Sequence, residues 1–211
     1  MMMQKKTNNN KRYTVAAVFA GALLTSEMAD AQTRLRGFIG VFDKGQEFVV
    51  GTGVSRHFNL PRSWSIDGSF GVLSNGRTVE LSDAEIDFNT PNIGPVSLTA
   101  YAYNSRLYNV DFGAGATLTV QRFHASIEYE IPNWAGVFAN YQIPLGDRVS
   151  LTPQAIFLFS QNGAEGAGAW LRLNVDLGNS ASLQVQANQV WGFDGRPLNM
   201  NAIMTFSTCV P

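Results

Sequence analysis

Several things that usually hold an exported domain together are scarce in this chain. Its 211 residues include one cysteine, Cys209, so no internal disulfide can form. There are two histidines, His57 and His124, too few for a convincing zinc site. Lysine almost vanishes after the first 31 residues: only Lys44 remains, against ten arginines. Soluble exported domains normally carry many surface lysines. Arginine keeps its charge and forks onto carboxylates, which suits partly enclosed ion pairs. No segment beyond residue 31 holds even a dozen uninterrupted apolar residues, which excludes a transmembrane helix, since crossing takes about twenty. Residues 32–211 carry 11 basic and 14 acidic side chains, a net charge of −3 that argues against nucleic acid as a partner. Motifs for metals and cofactors are missing too. Gly113-Ala114-Gly115 is not followed by the Lys-Ser/Thr of a phosphate loop. Asp83, Glu85 and Asp87 lack the glycine-bearing loop that calcium requires, and read as a solvated face. No cofactor or metal is expected.

What is present begins with a leader. Lys5, Lys6, Lys11 and Arg12 precede an apolar run from Val15 to Leu24, and Ala29-Asp30-Ala31 is a small-x-small site. This is the layout of a secretory signal peptide spanning residues 1–31 and cut after Ala31. Residue 32 is glutamine rather than cysteine, which argues against a lipoprotein. The remaining 32–211 suit a single domain.

That domain is written in period two. Between Arg106 and Val120 the even positions Tyr108, Val110, Phe112, Ala114, Ala116, Leu118 and Val120 are apolar, with Asn, Asp, Gly and Thr between them. From Phe123 to Ile131 the apolar positions are odd, alternating with His124, Ser126, Glu128 and Glu130. Strict alternation puts one set of side chains on each face of a strand, and a change of parity demands a turn or bulge between Val120 and Phe123. Similar segments recur along the chain, separated by turn signals such as Asp43-Lys44-Gly45-Gln46, Ser74-Asn75-Gly76-Arg77 and Gly178-Asn179-Ser180. Val79 and Leu81 differ in parity from Ala84, Ile86 and Phe88, which places a bulge near Asp83. Twelve strands result if the chain turns at Val120-Gln121, and ten remain possible if it does not.

The polar faces of these strands are rich in Gly, Ser, Thr, Asn and Gln and sparing in charge. Such faces fit the crowded inside of a closed barrel better than a solvated sheet. The expected fold is all-β: an antiparallel up-and-down transmembrane β-barrel of 10–12 strands, with a secreted soluble β-sandwich as the alternative. The run Asn199–Phe206 resembles the last-strand sorting signal of bacterial outer-membrane β-barrels, with Asn199, Met204 and Phe206 matching it. Asn201 stands where that signal prefers glycine, and Ser207–Pro211 trail past the aromatic that usually ends the chain. The resemblance implies a Gram-negative outer-membrane location, with outer-membrane lipid and the barrel assembly machinery as partners. The alternative fold implies the periplasm or the medium, and carbohydrate binding through exposed tryptophans.

One segment is suggestive of catalysis. His124-Ala125-Ser126 with Glu128 or Glu130 resembles the His-x-Ser pair and acid of outer-membrane lipid A deacylases, small barrels in which a base-activated serine is the nucleophile. That family continues with asparagine after the serine, where this chain has Ile127, and its acid lies further along. The parity also turns His124 and Ser126 toward the lumen, away from the acyl chains such an enzyme cuts. The competing expectation makes Arg122, His124, Glu128, Glu130, Asp111, Arg172 and Asp176 a polar network lining the lumen, because enclosed charges need partners. On that reading the protein is a non-enzymatic envelope barrel, structural or passing small solutes, with His124, Ser126 and Glu130 kept as the catalytic candidates of the other. Trp64, Trp134 and Trp191 are candidates for an interfacial aromatic belt.

Overall fold

The structure, a computed structural model, describes residues 32–42, 47–76, 79–105, 110–131, 134–160 and 163–210. The leader and Tyr108 lie outside the described residues. Alternation becomes strand throughout: β1 (Gln32–Phe42), β2 (Glu47–Asn59), β3 (Ser65–Ser74), β4 (Val79–Asn89), β5 (Val96–Ser105), β6 (Val110–Val120), β7 (Phe123–Ile131) and β8 (Trp134–Tyr141). The two-residue β9 (Ile143–Pro144) extends the β8 edge, and β10 (Val149–Ser160), β11 (Gly163–Gly178), β12 (Ala181–Gly192) and β13 (Pro197–Val210) follow. Each long strand pairs antiparallel with its neighbours in sequence, β8 pairing with β10. Pairing of β1 with β13 closes the sheet into a barrel of twelve long strands. Closure leaves no long edge unpaired, which is what lets a sheet stand in a medium without hydrogen-bonding water. A sandwich of two open sheets is therefore set aside.

The question at Val120 is settled by a two-residue turn. Val120 pairs directly with Phe123, and Gln121 adopts the left-handed region at φ 56°. The bulge near Asp83 is also present: Gly71 pairs with Asp83 and Val72 with Leu81, so Ser82 is the extra residue. The last strand runs on to Val210, so the residues after Phe206 continue the ladder, paired with Thr33–Arg36 of β1. Both chain ends of the barrel lie at one rim, called here the terminal rim. The segments joining successive strands at either rim contain at most six residues.

The two faces differ as the alternation requires. Leu35, Phe48, Ile127, Phe157, Leu171 and Phe206 point outward and are exposed. Such a largely apolar exterior belongs in lipid. Inside, glycines let aromatic rings lie against the wall. A Cβ at Gly113 would meet the Tyr103 ring at 2.4 Å, and one at Gly115 would meet Tyr101 at 2.7 Å. Two apolar clusters pack inside the barrel: Phe38, Phe42, Val49 and Leu73 with Ile203, and Phe138, Ile156 and Val190 with Leu158 and Trp170.

Candidate functional site: the barrel lumen

The space the side chains leave inside the sheet is a cavity of about 900 Å³. One wall is acidic. The bulge at Ser82 resets the parity of β4 so that Asp83, Glu85 and Asp87 all face inward, and β7 contributes Glu128 and Glu130. Between these two strands lie β5, with Tyr101 and Tyr103, and β6, with Gly113 and Gly115. Because β6 presents no side chain there, the tyrosines cross it and reach β7. The Tyr101 hydroxyl donates to Glu128 Oε1 at 2.5 Å. The Tyr103 hydroxyl lies 3.0 Å from Glu128 Oε2 and 2.5 Å from Glu130 Oε1. One phenolic proton serves both contacts, so the tyrosine oxygen ties two carboxylates side by side. Arg36 of β1 closes the row with an ion pair to Asp83.

The opposite wall is rich in amides and carries one guanidinium. Gln154, Gln184, Gln186 and Asn188 face the cavity with Arg172, whose Nε donates to Gln186 Oε1 at 3.3 Å. At the terminal rim a chain of hydrogen bonds crosses four strands. Asn59 Oδ1 lies 3.1 Å from His57 Nε2, and His57 Nδ1 lies 2.7 Å from Asp67 Oδ1. Asn89 Nδ2 donates to Asp67 Oδ2 at 2.7 Å, and Thr99 Oγ1 to Asn89 Oδ1 at 2.7 Å.

The residues singled out from the sequence separate into three groups. His124, Ser126, Glu128, Glu130 and Arg172 line the cavity. Two do not line it. Arg122 is the second residue of the β6–β7 turn, exposed at the terminal rim, with its carbonyl accepting from Gln142 N at 2.9 Å. Its even parity matched His124, but the turn ends before β7 begins. Asp176 is exposed near the β11–β12 turn, where Oδ1 accepts from Gly178 N at 2.8 Å, a local turn contact rather than a lumen one. Asp111 falls in β6, and its side chain lies outside the described residues. Trp134 also departs from expectation: it lines the cavity, whereas Trp191 faces outward and Trp64 packs on the outward Phe88 with ring centroids 5.0 Å apart.

The catalytic constellation is not assembled. His124 Nδ1 is 2.9 Å from Thr119 Oγ1, and Ser126 Oγ is 2.9 Å from Thr117 Oγ1. Each side chain bonds straight across the β6–β7 pair instead of to the other. Two residues apart on one face of a strand, they stand about 7 Å apart along the chain. Glu130 is engaged by Tyr103. Among the described residues no group of three or more His, Cys, Asp or Glu side chains is arranged to hold a metal ion.

Nothing in the sequence marks Tyr101, Tyr103 or Arg36, and the β4 triplet, expected to be a solvated face, lines the cavity instead. For the triplet a usable signal existed. Ala84, Ile86 and Phe88 share the parity of an apolar outer face, which forces Asp83, Glu85 and Asp87 inward.

No protein-family model matches the sequence, and no curated relative does. Solved structures share its shape. The NanC porin superposes with a TM-score of 0.56 at 8% identity, covering 82% of this chain and 98% of that one. The outer membrane protein Omp33 of Acinetobacter baumannii gives 0.50 at 8% identity, over 87% of this chain and 100% of that one. Identities this low speak to fold alone: with its closed sheet and apolar exterior, this chain has the architecture of an outer-membrane β-barrel.

Proposed function

We propose that the protein is a small, non-enzymatic outer-membrane barrel whose lumen passes small solutes. The observation that carries this reading is the cavity of about 900 Å³ enclosed by the sheet and lined largely by charged, amide and hydroxyl side chains. Barrels of eight strands are filled by their own side chains, and those of sixteen or more hold aqueous channels. Twelve strands fall between, and the inward Phe38, Phe42, Phe138 and Ile156 keep any path narrow. Short connections at both rims also argue against a receptor or adhesin, which display long loops. Outer-membrane lipid covers the apolar exterior, and the barrel assembly machinery reads the last strand.

Planar-bilayer recording tests the reading. Purified protein that shows a heat-modifiable gel shift is expected to give stepwise conductance, altered in Glu130→Ala. Silence from both proteins would leave a structural envelope role. A lipid-hydrolase role is tested separately: His124→Ala and Ser126→Ala are expected to leave lipid A acylation unchanged, since both side chains are committed to threonines.

A further inference from the structure

We infer that the lumen selects small cations over anions. The inference rests on the passive-pore reading and adds to it the class of solute. Among the described residues five acidic side chains face the cavity, three from β4 and two from β7, against the two guanidiniums of Arg36 and Arg172. Arg36 is bound to Asp83, which cancels one charge of each sign. Among the described residues, that leaves four acidic side chains, Glu85, Asp87, Glu128 and Glu130, with Arg172 as the remaining guanidinium on the lining. These four line one wall of the cavity, on β4 and β7 with β5 and β6 between them.

Carboxylates only accept hydrogen bonds, and Tyr103 offers one proton to two of them. A second observation is independent of the acids. Ser105, opposite Asp83 in the β4–β5 register and 5% exposed, lines the cavity, and its Oγ has no hydrogen-bond partner among the described residues. A row of carboxylates with a spare hydroxyl is a surface of hard oxygen ligands, which replace part of a cation's hydration shell. An anion at the same place meets like charge. Walls of low dielectric focus this field along the lumen, and enrichment of the favoured ion begins at about tenfold.

The test is the reversal potential of the purified barrel in a planar bilayer under a tenfold KCl gradient at 0.1 M or below. An ideal cation filter would reach about 59 mV. A K⁺/Cl⁻ permeability ratio of roughly ten is expected at low salt, falling toward one near 1 M, where the screening length is about 3 Å. The triple variant Glu85→Gln, Asp87→Asn, Glu128→Gln is expected to bring the ratio toward one at low salt. Asp147→Asn, at the terminal rim and outside the cavity, is expected to leave it unchanged. Conductance with no cation preference in the wild-type barrel would overturn the inference and leave the pore standing. Absence of conductance from heat-modifiable protein would overturn both.

Discussion

The outward placement of the apolar parity can be put to a quantitative test at Ile127, the fifth of nine residues in β7 and 62% exposed. Eight steps of about 3.4 Å make β7 about 27 Å long. A tilt of about 40° reduces that to roughly 21 Å of height, within an apolar band of about 25 Å. Ile127 therefore sits near the bilayer midplane, where an arginine on the lipid face costs about 2–4 kcal/mol. The middle of that range is roughly a hundredfold in the folded-to-unfolded ratio, at about 1.4 kcal/mol per factor of ten. Tyr141, outward at the last position of β8, lies near the terminal rim, where the same charge costs about 0–1 kcal/mol. Urea titration of refolding into phospholipid vesicles, followed by tryptophan fluorescence, measures both. The expected result is a large loss for Ile127→Arg and a small one for Tyr141→Arg. If the outer face met water, both changes would fall within about 0.5 kcal/mol, as surface substitutions usually do. Equal, small costs at the two positions would therefore refute the assignment of this face to lipid.

Two further perturbations probe the lumen. Gly113→Val drives a side chain into the Tyr103 ring, 2.4 Å from the nearest possible Cβ, and should destabilise the barrel by about 1–3 kcal/mol in the same titration. Adding Tyr103→Ala should recover part of that loss, because the space is returned. Ile156→Ala removes a side chain that is 2% exposed and packed on Phe138 and Val190, so it should cost about 2–5 kcal/mol. The same change widens the interior and should raise single-channel conductance.

Much of this architecture was legible because a strand's two faces must differ when one meets lipid. The parity change between Val120 and Phe123 carried the strand count, although Gln121-Arg122 contains none of the residues that normally announce a turn. A left-handed glutamine is tolerated there because the β6–β7 ladder, running from Phe112–Ile131 to Val120–Phe123, fixes the register. Parity reported where a side chain points, and it failed where a turn intervened. Arg122 had the right parity but stood one residue before the strand, and Asp176 was drawn into its own turn.

The contacts across the barrel wall required register, which a single strand's pattern does not contain. Tyr101 and Tyr103 looked like ordinary aromatics, and Gly113 and Gly115 like mere economy of space. In register they are one device. The glycines exist where the rings must lie flat, and the rings exist where two glutamates must be held together across an empty stretch of wall. That device also explains why His124 and Ser126 do not become a catalytic pair. The next two inward positions of β6 are Thr117 and Thr119 instead of glycine, so the hydroxyl groups take up the histidine and serine directly. A Thr119→Gly, Thr117→Gly strand would free both side chains, but the acid that could orient His124 would still be engaged by Tyr103, four residues further up β7 or more. What β6 presents at each inward position therefore decides the role of the β7 residue opposite it.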